Sequence, residues 1–199
     1  MKRVLSVLVL MATASIMVAQ DRTDCCQEKS NPVIDAIMTR TSIRQFQDRK
    51  VEPSIVQTLL RAGMAAPTAR NKQPWHFVVV DKPELLAQLG GRATKAPLVI
   101  LVCGDFTKTL RGTAQEFWIQ DCSAATENIL LAAHALGLGA VWTGAYPGRE
   151  LCEKYQSILN LPATLVPLNA IVIGYPAEAP APKDKWLEEN ITYNIYSAE

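Results

Sequence analysis

Apolar positions along the chain change their spacing several times, and each change marks a predicted element. Asn31-Pro32 supplies a helix cap and a first-turn proline. Val33, Ile34, Ile37 and Met38 follow at helical spacing, so a short helix is predicted to end near Thr39. A second helix starts at Pro53 and carries Ile55, Val56, Leu59 and Leu60 on one face. It must stop by Ala66, because the residue before Pro67 is pushed out of the helical region. His76 to Val80 reads as a strand, Pro83 to Leu89 as a brief helix closed by Gly90-Gly91, and Pro97 to Cys103 as a fully apolar strand. From Gln115 to Leu136 the apolar positions cover more than one helical face, which predicts burial on several sides, in a core or a subunit interface. Gly137 to Gly139 caps that helix. Ala140 to Trp142 leads into a Thr-Gly turn, Arg149 to Leu159 is helical, and Leu168 to Ile173 is another strand. A proline-rich arm opening with "YPAEAPAPK" follows. Taken alone, this alternation predicts an α/β fold with a largely parallel sheet.

The N-terminus follows a different pattern. Lys2 and Arg3 precede Val4 to Ala19, whose only polar members are Ser6, Thr13 and Ser15. That is the form of an export signal cleaved after Ala19, with an uncleaved membrane anchor as the rival reading. Residues 1–19 therefore predict an exported, periplasmic or secreted protein, or a membrane-anchored one. Residues 20–30 are a polar tether, and 31–199 are expected to form one globular domain, which suits a chain of 199 residues with 49% hydrophobic content.

Charge narrows the partners. Twenty basic and 19 acidic residues leave a net charge of +1, so no global field draws nucleic acid or an anionic membrane. Membrane contact is confined to the N-terminal segment, and any anion site must be local. The five cysteines show no zinc spacing, and no metal site is expected. Cys103, Cys122 and Cys152 fall inside apolar patterns and read as buried thiols, whereas Cys25 and Cys26 lie in a polar segment where they are free, oxidised or paired between chains.

Two basic clusters stand out against this balance. In "RTSIRQF", Arg40, Ser42 and Arg44 stand two apart after a helix, and an extended backbone would put all three on one side as a phosphate or carboxylate clamp. A solvated polar turn is the plain alternative. Lys183 and Lys185 in "PKDKW" repeat the spacing near the other end. Between them, "APTARNKQPWHFVVVD" joins two prolines and several polar donors to the mouth of a strand, more than a connecting loop needs.

The stretches "TRTSIRQFQDRKVEPSIVQTLLRAGMAAPTARNKQPWHFVVV", "DCSAATENILLAAHALGLGAVWTGAYP" and "IVIGYPAEAPAPKDKW", in that order, resemble the nitroreductase family of FMN-dependent NAD(P)H oxidoreductases over about residues 31 to 195. The resemblance implies an α+β fold whose mixed, mostly antiparallel sheet is flanked by helices, in place of the parallel sheet. It also implies an intertwined homodimer with two FMN sites at its interface. By position, Arg40 and Ser42 would serve the FMN phosphate and Arg44 the pyrimidine edge. Pro67, Thr68, Asn71 and Gln73 match the segment that reaches the flavin from the partner subunit. Thr143 and Gly144 match the turn whose backbone lies against the ring, with one N–H near N5. Lys183 and Lys185 match a basic pair at the phosphate, where relatives often have arginine second. Arg92 falls where some relatives place a cation by the ring.

Other residues have plainer readings. Trp75 is read as packing and His134 as a satisfied core histidine. His76 would line the pocket or serve the strand, and Trp118, Trp142 and Tyr146 would form a substrate wall or simply core. No catalytic side chain is required, because the flavin carries the chemistry. The implied function passes electrons from NAD(P)H through flavin N5 to a nitroaromatic, a quinone or a similar small aromatic acceptor by a ping-pong mechanism. The alternatives are an exported flavoprotein fed by a membrane partner and a reductive dehalogenase, for which Gly104 to Gln115 is short as a lid.

Overall fold

The structure, a computed structural model, describes residues 31–196. Its helices and strands run in the order α1 (Pro32–Thr39), α2 (Pro53–Met64), β1 (Trp75–Val80), α3 (Pro83–Leu89), β2 (Leu98–Asp105), α4 (Phe117–Ala135), β3 (Gly139–Gly144), α5 (Arg149–Leu159) and β4 (Leu165–Gly174). Every helix and strand expected from the apolar spacing is present. The expected cap of α1 forms as well: Asn31 Oδ1 accepts from the N–H groups of Val33 at 3.0 Å and Ile34 at 3.4 Å.

The strands lie in the order β1-β2-β4-β3, and each neighbouring pair is antiparallel. The parallel sheet expected from alternation alone is thereby corrected. Helix α3 has seven residues and spans about 10 Å. The six-residue β1 spans about 20 Å. At about half the strand's length, such a helix does not by itself return the chain along β1, and β2 enters from the end at which β1 leaves. A parallel pairing among the described residues is the isolated bridge of Ser42 to Ala140 on β3. The sheet is thus mixed and mostly antiparallel within an α+β fold, as the resemblance implied.

Core packing follows the two-residue period of β2. Ile100 and Val102 face α2 and α4 with Leu59, Cys122, Ala125 and Ile129, while Val99 and Leu101 face α3 and α5 with Leu86, Leu89 and Tyr155. The broad apolar surface of α4 is explained by this position, since its residues from Trp118 to Ala133 pack beneath the sheet. Gly104 permits that approach: a Cβ there would overlap the Trp118 ring. The helix ends as its glycines predicted, with Gly137 at φ +75° and Leu138 N–H donating to Ala133 O at 2.8 Å.

His134 is half-buried and hydrogen-bonded through Nε2 to Thr39 Oγ1 at 2.9 Å, tying α4 to α1. Cys103, Cys122 and Cys152 are buried free thiols, and burial pushes the Cys103 thiol up to about 12. The segment expected to be a signal or anchor, the tether, Cys25 and Cys26 lie outside the described residues. Helix α1 has no buried residue, and its Val33 and Met38 are 65% and 71% exposed. In the C-terminal arm, Tyr193 is 83% exposed.

Candidate functional site

After α1 the chain runs beside β3: Ser42 bridges Ala140, and Ile43 N–H donates to Ala140 O at 3.0 Å. The C-terminal arm leaves β4 and pairs with the next residues of that run. Gln47 N–H donates to Tyr175 O at 2.9 Å, and Ala177 N–H donates to Gln45 O at 3.0 Å. Glu178 completes the seam, because its Oε1 accepts from both Arg44 N–H at 2.5 Å and Gln45 N–H at 3.1 Å. Upstream, the Tyr175 hydroxyl donates to Glu52 Oε2 at 2.5 Å, and Arg49 both donates to Glu52 Oε1 at 2.9 Å and lies 3.6 Å over the Tyr175 ring. The hydrogen bonds from Tyr175 and then Arg49 hold the Glu52 carboxyl at about 2.

This pairing of segments more than 130 residues apart encloses a groove of about 910 Å³. Arg40, Ser42 and Arg44 line it together with Lys183 and Lys185, and Ile37, Met38 and Trp186 add apolar lining. The two basic clusters singled out in the sequence therefore meet. Arg40 Nε lies 3.5 Å from Glu127 Oε1. Arg44 Nη1 donates to Ser42 O at 3.3 Å, and neither Arg44, Lys183 nor Lys185 has an ion-pair partner among the described residues.

The loop after α2 is equally constrained but stands elsewhere. Thr68 Oγ1 accepts from Gln73 N–H at 3.1 Å, and Gln73 Nε2 donates to Asn71 Oδ1 at 3.0 Å. Arg70, Asn71 and Gln73 have φ values of 52°, 52° and 50°, which costs energy without glycine and persists only where surroundings fix the backbone. One such restraint is Asp121 on α4, whose Oδ1 accepts from Ala69 N–H at 2.8 Å. Burial pushes the Asp121 carboxyl above its ordinary range, with the Ala69 hydrogen bond opposing the shift.

Neither Pro67, Thr68, Asn71 and Gln73 nor Thr143 and Gly144 line the basic groove. Thr143 and Gly144 sit at the end of β3, three and four residues beyond the Ser42 bridge to Ala140. Thr143 Oγ1 is buried without a hydrogen-bond partner among the described residues, and a Cβ added to Gly144 would meet nothing within 4 Å. Arg92 is exposed in a short 3-10 segment and lines no part of the groove. His76 is exposed on the edge strand β1. Trp75 is buried and stacks on Phe77 at 6.4 Å, as packing. Trp118 meets Phe106 and Tyr146 edge-on at 5.5 and 5.0 Å, while Trp142 stands apart and partly exposed.

Sequence reasoning did not find Glu178 or Asp121. Nothing local marks Glu178, one acid in a proline-rich arm. Asp121 did carry a signal, a carboxylate on a helix otherwise apolar on that face.

The family model of the nitroreductase family matches residues 37–100 and 89–175. The chain belongs to the nitroreductase family. It is 43% identical over 159 residues to a protein of Methanothermobacter thermautotrophicus described as a candidate NADH dehydrogenase/NAD(P)H nitroreductase, covering 76% of this chain and 81% of that one. A crystal structure bearing the same description, from Bacteroides thetaiotaomicron, superposes with a TM-score of 0.79 at 40% identity, over 84% of this chain and 99% of the other. A protein of Desulfovibrio desulfuricans described as a candidate nitroreductase, solved in complex with FMN, gives a TM-score of 0.70 at 32% identity, over 84% of this chain and 99% of the other. Together they correct the location expected from the N-terminus. The Methanothermobacter and Bacteroides proteins are named for NADH or NADPH, which are scarce outside the cytosol, so the exported or membrane-anchored placement is withdrawn. Among the described residues, no helix is long and apolar enough to cross a membrane.

Proposed function

We propose that this nitroreductase-family chain is an FMN-dependent NAD(P)H oxidoreductase that reduces nitroaromatics, quinones or similar small aromatic acceptors as a homodimer. The observation that carries this reading is the meeting of Arg40, Ser42 and Arg44 with Lys183 and Lys185 in one groove. A phosphate monoester is a dianion with several acceptor oxygens, and such a set of guanidinium, ammonium and hydroxyl donors suits it. Two further features fit FMN: the unpartnered Thr143 hydroxyl and the open space before Gly144, where a flat ring can approach the backbone.

Each group then has a task. Arg40, Ser42, Lys183 and Lys185 hold the phosphate, and Arg44 places positive charge at the pyrimidine edge, where reduction puts negative charge. Thr143 and Gly144 support the ring through their backbone. When bound, FMN supplies the hydride and electron chemistry, taking electrons at N5 from NAD(P)H and giving them to the acceptor in a ping-pong order. The protein's side chains bind, orient and stabilise charge, and no acid or base among them is required.

The homodimer reading rests on exposed apolar surface and on the displaced loop. Val33 and Met38 on α1, with Tyr193 in the arm, are apolar surface that no other described residue covers, and a second copy would cover it. Pro67, Thr68, Asn71 and Gln73 reach a flavin from the second copy. Anaerobic visible spectroscopy of the purified full chain with FMN is the test. Flavin bands that co-purify or form on addition and bleach with NADPH are expected, and failure to take up flavin overturns the reading.

A further inference from the structure

Away from the basic groove, Lys72, Thr107, Lys108, Thr109, Leu110 and Arg111 line a second cleft of about 430 Å³. Its two walls are fastened together. Asp105 N–H donates to Pro74 O at 2.6 Å, joining the end of β2 to the loop that carries Lys72, and Phe106 packs edge-on against the buried Trp118. Asp105 organises the rim: its carboxylate accepts from Thr107 N–H at 3.0 Å and Thr107 Oγ1 at 2.6 Å and pairs with Lys108 Nζ at 2.9 Å. Burial alone would raise that carboxyl, but the hydrogen bonds from Thr107 and Lys108 outweigh it and hold it below the ordinary aspartate range.

The charges do not cancel. Asp105 neutralises Lys108, whereas Lys72 and Arg111 have no ion-pair partner among the described residues. Two uncompensated cations in one concave site concentrate positive potential on a chain whose net charge is only +1. The place of Lys72 in the sequence decides what such a site would serve. It lies between Asn71 and Gln73, the residues assigned above to the flavin, in a loop whose backbone is fixed. A cation held there stands beside the point where a reductant must approach, and the reductant in this reading carries phosphates.

We propose that the cleft formed by Lys72, Lys108 and Arg111 is a phosphate subsite for the nicotinamide dinucleotide donor. The proposal rests on the flavin reading above and adds to it the side chains that grip the donor. Lys72 and Arg111 supply the charge, Thr109 offers a hydroxyl, and Lys108 stays with Asp105 as part of the frame. Either the pyrophosphate shared by NADH and NADPH or the 2′-phosphate of NADPH has the required chemistry.

The test compares wild type with the Lys72→Ala/Arg111→Ala double variant, both saturated with FMN so that the first groove is filled. Calorimetric titration with adenosine 2′,5′-bisphosphate and with inorganic pyrophosphate reads the cleft without turnover. Steady-state kinetics with each donor read its use. In the double variant, FMN uptake is unchanged and kcat is kept, while the donor KM rises about tenfold and the matching probe loses binding. A rise for NADPH alone assigns the 2′-phosphate, and a rise for both donors assigns the pyrophosphate. Unchanged donor KM values and probe affinities overturn the proposal, as does a rise in the acceptor KM alone. Failure of wild type to take up flavin overturns the functional reading instead, and the probe titrations still decide whether the cleft binds phosphate.

Discussion

Glu178 gives the sharpest test of how the basic groove is assembled. Its carboxylate joins the C-terminal arm to the Arg44 run through two backbone hydrogen bonds of 2.5 and 3.1 Å, yet it also places negative charge in a groove read as a phosphate seat. The two effects have opposite signs and can be weighed. The side chain is half-exposed, so each hydrogen bond contributes about 1 kcal/mol to holding Arg44 in place, roughly 2 kcal/mol in all. Repulsion in water is about 1 kcal/mol between unit charges at 4 Å and halves at twice that distance, so relief toward a phosphate dianion returns about 1 kcal/mol. Glu178→Ala should therefore weaken FMN binding by about 1 kcal/mol, or roughly fivefold, because the lost fastening exceeds the lost repulsion. Glu178→Gln keeps an acceptor oxygen while removing the charge, and it should bind FMN as tightly as wild type or more tightly. Titration of flavin-free protein by quenching of FMN fluorescence measures all three. Alanine and glutamine variants that both bind more tightly than wild type would refute the reasoning, since Glu178 would then act only through its charge.

Two further predictions concern groups that hold the site's surroundings. Asp121→Ala leaves Ala69 N–H without its partner and should cost about 1–3 kcal/mol in urea denaturation, with faster proteolysis of the 67–73 loop. Because burial raises the Asp121 carboxyl in the folded state, its contribution favours the fold at low pH and is lost as pH rises through that raised value; Asp121→Asn should gain on wild type over the same interval, and parallel stability profiles would contradict this. Glu52 has the opposite sign: its folded carboxyl is lowered from 4.5 to about 2, so its stabilisation is present above 4.5 and is lost as pH falls toward 2. Tyr175→Phe removes the largest cause and should move the Glu52 titration, followed by NMR, back upward.

The sequence carried local structure well because local rules dominate there. Asn31 and Pro32 predicted the start of α1, Pro53 that of α2, and the glycines after Leu136 the end of α4, each through backbone chemistry confined to a few residues. Strand direction was not local. It depended on how far α3 could carry the chain against the length of β1, and alternation by itself ignores that comparison. Resemblance repaired the fold but not the site's scaffolding. Arg40, Ser42 and Arg44 were legible from their two-residue spacing, whereas their fastening through Glu178 spans 134 positions and leaves no periodic trace. The location read from the N-terminus was corrected on other grounds. A basic pair before an apolar run is a compositional sign, and it gave way to relatives named for pyridine nucleotides.

The groove's position on the fold has a thermodynamic consequence. Its walls are not drawn from the sheet's interior but from two segments outside it, 40–47 and 175–186, which meet along a seam of backbone hydrogen bonds. Closing that seam gathers Arg40, Arg44, Lys183 and Lys185 around one space, and only Arg40 has an ion-pair partner among the described residues. Mutual repulsion among the others opposes closure, and the hydrogen bonds to Glu178 and to the Tyr175–Ala177 backbone offset it. A bound phosphate would remove the repulsion, so docking of the arm and binding of the anion are reciprocal: whatever fastens the arm tightens the ligand, and the ligand fastens the arm by the same free energy. Tyr175, clasped by Glu52 and Arg49, stands where the arm leaves β4, on the same seam as the groove and earlier in the same arm than Lys183. Loosening that clasp should therefore weaken phosphate binding without touching a single residue of the groove.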